Sequence, residues 1–153
     1  LFVFVGQGAM MLLITIPIML VNTYTGPSLG WLDVVGVAVW GLGFFFEAAG
    51  DRQLDLFLRN PANRGKVLDT GLWRYTRHPN YFGEVTQWWG VYLIALSVQW
   101  GWLGIIGPVT ITTLIVAYSG IPMLEKTMMQ KPAFVEYAKR TSVFFPLPPK
   151  KVS

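Results

Sequence analysis

Apolar positions run almost unbroken through four stretches of this chain, residues 2–21, 31–49, 81–98 and 102–121. Each is close to the ~20 residues that a helix needs to cross a hydrocarbon core. The connections 22–30 and 99–101 carry no charge and hold turn-forming Gly, Pro, Asn and Ser. This pattern predicts an all-α fold, a polytopic membrane helical bundle with about four transmembrane helices. A further segment, 124–140 (LEKTMMQKPAFVEYAKR), alternates apolar and charged positions at helical spacing and is interrupted by Pro132. It predicts a broken amphipathic helix lying at the membrane interface. The tail FFPLPPK is proline-limited and predicts an extended strap running along the surface, apart from any site.

Polar residues interrupt the apolar pattern in two places. Glu47, Asp51 and Asp55 recur every fourth position at the end of the second stretch, so they share one helix face. Carboxylates accept hydrogen bonds from hydroxyl and amine donors, which makes ribose or an amide a reasonable target. Asp51 or Asp55 could instead pair with nearby arginines, and for Asp55 that pairing is the expected outcome. The second place is GLWRYTRHPNYFGE, residues 71–84, where Pro79 suits a first helical position. From there Arg77, Asn80, Glu84 and Gln87 follow one another at three or four residues, a polar stripe on a membrane helix. Such a stripe faces a protein interior or a wet cavity rather than lipid. It is expected to look toward the Glu47–Asp51 face. Arg74 and Arg77, with the free N–H groups of the helix start, could hold a phosphate, or the arginines could anchor the span to headgroups. His78 could act as a general acid, donate to a cofactor phosphate, or cap and pack the helix start. Glu125, Tyr137 and Arg140 in the C-terminal segment are candidates for closing over a cofactor.

Composition supports the membrane reading. Of 153 residues, 53% are hydrophobic and 13% charged, against roughly 25% charged in soluble domains. One histidine and no cysteine leave no ligand set for structural zinc and no disulfide. The twelve Lys and Arg divide equally, Arg52, Arg59, Arg64, Lys66, Arg74 and Arg77 before the third stretch, the other six after the fourth. Four crossings put both blocks on one face, which the positive-inside rule makes cytoplasmic. That places the basic loop 50–79 and the C-terminus inside, as in a bacterial inner membrane. The cations flank spans, so topology explains the net charge of +4 without a nucleic-acid partner. The chain reads as a single membrane domain, 1–153. Its first residue, Leu1, predicts further chain upstream.

The pattern Glu47-x3-Asp51-x2-Leu54, then GLWRYTRHPNYFGE followed by WWG, resembles the C-terminal domain of the steroid 5-alpha-reductase superfamily, in a bacterial membrane branch. The likeness runs over residues 30–150, and the ending from Glu125 through KPAFVEYAKRTSVFFPLPPK fits it. Isoprenylcysteine carboxyl methyltransferases and phospholipid methyltransferases share part of the element, RHPxYxG. The resemblance implies an NADPH pocket on the cytoplasmic side, contacted by Asp51 and Asn80 and supported by Glu84. Arg74, Arg77, His78 and Tyr81 match the basic-aromatic element, while Glu47 stands where the family often has Asn. The implied activity is hydride transfer to an alkene conjugated with a carbonyl in a lipophilic substrate. The reductases carry their substrate-side acid and tyrosine upstream, so this chain is expected to be the cofactor-binding part of a longer protein, with membrane lipid around it. The alternatives are methyl transfer from S-adenosylmethionine to a lipid or prenylated acceptor, and a scaffold without catalysis.

Overall fold

The computed structural model describes residues 2–24, 26 and 29–151, with side chains from residue 4 onward. Thr25, Pro27 and Ser28 of the connection 22–30 lie outside the described residues. Helices dominate: α1 Phe2–Asn22, α2 Trp31–Arg59, α3 Pro79–Ala95, α4 Ile106–Thr113, α5 Ile121–Met128 and α6 Pro132–Arg140. Short 3₁₀ turns lie at Pro61–Asn63, Gly71–Arg74 and Gly101–Ile105, and a π-turn at Leu114–Tyr118 follows α4. Three helical stretches among the described residues are long and apolar enough to cross a membrane, Phe4–Asn22, Trp31–Arg59 and Gly101–Met128. The stretch expected over 81–98 forms α3, which at 17 residues is about 25 Å long. The stretch over 102–121 is a helix of mixed pitch rather than one uniform α-helix.

The chain divides into two compact units. In the first, Leu1–Gly43 with Val85–Leu114, α1 packs on the Gly101–Ile105 turn and on α4. Glycine allows the close approach: a Cβ on Gly107 would lie 2.6 Å from the Ile14 carbonyl oxygen. Helices α2 and α3 cross in this unit at Gly36 and Gly90, and a Cβ on Gly90 would lie 2.6 Å from the Trp40 nitrogen. Small residues at helix crossings are the usual device where packing rather than water drives association. Asp33 in the first turn of α2 accepts from the Gly30 N–H at 2.6 Å and from the Ser97 hydroxyl at 3.0 Å. Outward-facing residues are strongly apolar, with Phe4, Met11, Leu12, Val34 and Val37 all more than half exposed. So much exposed apolar surface suits lipid and not water.

The second unit, Phe44–Glu84 with Ile115–Ser153, holds the end of α2, the start of α3, and α5 and α6. Pro132 opens α6, so the amphipathic segment breaks where the sequence places its proline. This unit contains nearly all the residues expected to carry chemistry.

Candidate functional site

The site is built around residues 69–78, the loop entering α3. Its backbone has few partners of its own and is held by the C-terminal segment. Thr76, fully buried, pairs with Ser142 in an isolated parallel bridge, and its hydroxyl donates to the Phe144 carbonyl at 2.8 Å. The Arg77 N–H donates to the Ser142 carbonyl at 2.9 Å. The Tyr137 hydroxyl donates to the carbonyls of Trp73 and Thr76. These bonds satisfy backbone groups of the loop where Thr76, Arg77 and His78 are buried from solvent.

Within that frame Arg77, His78 and Glu125 form one buried cluster. Arg77 and His78 are 6% and 4% exposed at the side chain and Glu125 13%. The guanidinium meets Glu125 in a fork, Nε to Oε1 at 2.7 Å and Nη2 to Oε2 at 2.9 Å. Its Nη1 donates to the carbonyls of Ala138 at 2.9 Å and Thr141 at 3.3 Å. His78 Nε2 lies 2.9 Å from Glu125 Oε1, and its ring stacks on Tyr81 with centroids 5.6 Å apart. Burial holds the His78 pKa below its ordinary value, outweighing the hydrogen bond to Glu125 that raises it. Burial likewise raises the Tyr137 hydroxyl above its ordinary value. Arg77 thus donates to the Glu125 carboxylate and to two backbone carbonyls. The fork geometry and desolvation make this a positioning cluster, which fixes the entry to α3 against α5 and α6.

A second cluster is acidic. Gly50 of α2 abuts the start of α3, where an added Cβ would lie 3.2 Å from the Asn80 nitrogen and from Pro79. The Gly50 carbonyl accepts from Trp73 Nε1 at 3.1 Å, and the Gln53 side chain accepts from the Leu72 N–H at 2.9 Å. Phe46 and Phe82 meet edge to face. This contact brings Glu47 and Asp51 to Glu84 as its charged neighbours. Among the described residues no cation is paired with Asp51 or Glu84. Asp55 takes the other course and pairs with exposed Arg59 at 2.8 Å, as its spacing predicts.

The sequence-predicted residues therefore separate. Glu47, Asp51, Glu84 and the start of α3 at Asn80 assemble on one side; Arg77, His78, Tyr81, Glu125 and Tyr137 assemble on another. Arg74 and Arg140 line a pocket of about 580 Å³ that Lys150 and Lys151 also line. The tail thus runs beside the loop 69–74, while Glu47, Asp51, Asn80 and Glu84 are not among the residues of this pocket. Leu147 N–H donates to the Tyr75 carbonyl and Lys150 N–H to the Arg140 carbonyl, so the strap is hydrogen-bonded back onto the loop and the end of α6. Sequence reasoning also missed Thr76, Trp73 and Asp69, since none stands in a periodic pattern and their partners lie far away in the chain.

The outward apolar faces, the spanning helices and the polar clusters at the start of α3 define an integral membrane protein of the all-α class. Residues 1–141 match the family described as "Protein of unknown function (DUF1295)", and the chain belongs to that family, within the steroid 5-alpha-reductase-like superfamily. It is similar to 3-oxo-5-alpha-steroid 4-dehydrogenase 1 of Bos taurus, 38% identical over 77 residues, 47% of this chain and 29% of the bovine protein. Steroid 5-alpha-reductase DET2 of Arabidopsis thaliana is 33% identical over 78 residues, covering 49% of this chain and 27% of that protein. The 3-oxo-5-alpha-steroid 4-dehydrogenase 1 of Homo sapiens is 36% identical over 67 residues, covering 43% and 26%. The chain thus matches less than a third of the length of these relatives. No solved structure matches it.

Proposed function

We propose that the chain carries the cofactor-binding part of an integral membrane reductase that uses NADPH to reduce a carbon–carbon double bond conjugated with a carbonyl in a lipophilic substrate. The observation that carries this reading is the gathering of Glu47, Asp51 and Glu84 beside Asn80 at the Gly50 contact. The residues fit the cofactor chemically. Carboxylates accept from ribose hydroxyls and from a carboxamide N–H, and Asn80 can both donate and accept. Arg74, exposed and without an ion-pair partner among the described residues, suits the anionic part. When bound, the nicotinamide supplies the hydride; the protein supplies binding and orientation. The Arg77–His78–Glu125 cluster acts at one remove, by holding Pro79 and Asn80 where the acidic face can use them. The names of the relatives support the reaction class, and the lipid-facing helices support a substrate that partitions into the bilayer.

Binding of NADPH and of S-adenosylmethionine to the detergent-purified protein tests the reading. NADPH is expected to bind. Loss of one hydrogen-bonding group in Asp51→Ala or Asn80→Ala should weaken it about tenfold. Binding of S-adenosylmethionine alone would replace the reductase with a methyltransferase, and binding of neither would leave a scaffold.

A further inference from the structure

We infer that the pocket between the loop 69–74 and the C-terminal strap is a binding site for a phosphate monoester, with Lys150 and Lys151 as its ligands alongside Arg74. Four cations line it, Arg74, Arg140, Lys150 and Lys151, against one carboxylate, Asp69. Arg140 is already paired with Asp69. Arg74, Lys150 and Lys151 make no ion pair among the described residues, so three uncompensated charges face one cavity. Holding like charges together is unfavourable unless an anion or solvent relieves it. A dianionic monoester carries the charge to do so and the oxygens to accept from several donors at once.

The strap is built to keep those lysines in place. Pro146, Pro148 and Pro149 restrict its backbone before binding, and its N–H groups at Leu147 and Lys150 are fixed to Tyr75 and Arg140 at 3.0 and 2.9 Å. Lysines serving only as headgroup anchors need neither the prolines nor the hydrogen bonds, because a solvated cation near a membrane surface works from a mobile tail. Preorganisation lowers the entropy lost when a ligand is held. At about 580 Å³ the pocket also exceeds a bare phosphate and falls in the range of small-molecule sites. The group that fills it therefore carries something beyond the phosphate, whether the nucleoside of a soluble nucleotide or the glycerol of a lipid headgroup. Arg74 is common to this site and to the proposed cofactor contact, whereas Asp51 and Asn80 take no part in it, so substitutions at Asp51 or Asn80 test the reductase reading alone.

Calorimetry on the full chain in phosphate-free detergent tests it with inorganic phosphate and 2′-AMP. Nanodiscs of phosphatidylcholine with and without phosphatidic acid identify the source. Saturable binding is expected, weakened about tenfold by Arg74→Ala and by the pair Lys150→Ala/Lys151→Ala, and weakened by added salt. Lys126→Ala, on α5 outside the pocket, should leave it unchanged. All four side chains are exposed, so the variants should melt with the parent protein. Binding of 2′-AMP that phosphatidic acid does not displace assigns the pocket to a nucleotide; displacement by phosphatidic acid assigns it to a lipid headgroup. Absence of saturable binding by every probe, or binding that the lysine and arginine substitutions leave untouched, overturns the site. Loss of NADPH affinity in Asp51→Ala with phosphate binding intact would separate the two sites experimentally.

Discussion

His78 shows what burial does to one side chain. Its ring is held below the ordinary value of 6.5 because desolvation outweighs the bond to Glu125. The unfolded chain therefore takes up a proton at higher pH than the folded one. Stability from this residue is full above the unfolded value and is lost as pH falls through it toward the lower folded value. In detergent the melting temperature should fall between about pH 7.5 and 5, and the fall should be smaller in His78→Gln. An identical pH dependence in the variant would mean that the carboxylates alone produce it. The same logic explains why Thr76 and Tyr137 spend their hydroxyls on backbone carbonyls: a buried donor without a partner is expensive.

Helices α3, α5 and α6 depend on one buried ion pair for their mutual placement. Glu125 of α5 receives the fork of Arg77, and Arg77 also reaches carbonyls at the end of α6. Removing one partner leaves the other charge buried without compensation, which costs about 3–5 kcal/mol. Glu125→Gln should therefore lower the melting temperature sharply. The double variant Arg77→Met/Glu125→Leu should recover part of the loss, because neither remaining side chain carries charge. A Glu125→Gln protein as stable as its parent would contradict the positioning role of this cluster.

Across the whole chain, topology follows from the pairing within the second unit. The loop before α3 and the segment after the last span are joined by the bridge of Thr76 to Ser142 and by the Arg77 N–H to the Ser142 carbonyl. They therefore lie on one side of the membrane, and the chain between them crosses an even number of times. This makes α3 a crossing helix even though its 17 residues are short of the usual span. The two basic blocks flank these joined segments. The chain has no cysteine of its own, so single cysteines at Leu29 and Lys139 can be probed in sealed vesicles with an impermeant reagent. The two positions should react from opposite sides; reaction of both from one side would remove the four-crossing topology.

The sequence by itself determined what depends on neighbours in the chain. Apolar runs marked the helices, Pro79 and Pro132 opened α3 and α6, and Asp55 found Arg59 one turn away. Each of these rests on local geometry, where spacing of three or four residues is enough to define a contact. It also put Glu47 and Asp51 on one face, and the reductase-like pattern around Asn80 and Glu84 was legible as a motif. Only the tertiary structure decided which face each polar group would meet. Arg77, for which the sequence offered a phosphate or a lipid headgroup, pairs with Glu125, 48 residues further on. Lys150, on a tail expected to run along the surface, lines one pocket with Arg74 because the strap is hydrogen-bonded back to Tyr75 and Arg140. The physical reason is the same in both cases. A polar group away from water must take whichever partner packing brings to it, and the choice between a distant carboxylate and a ligand leaves no periodic mark in the chain.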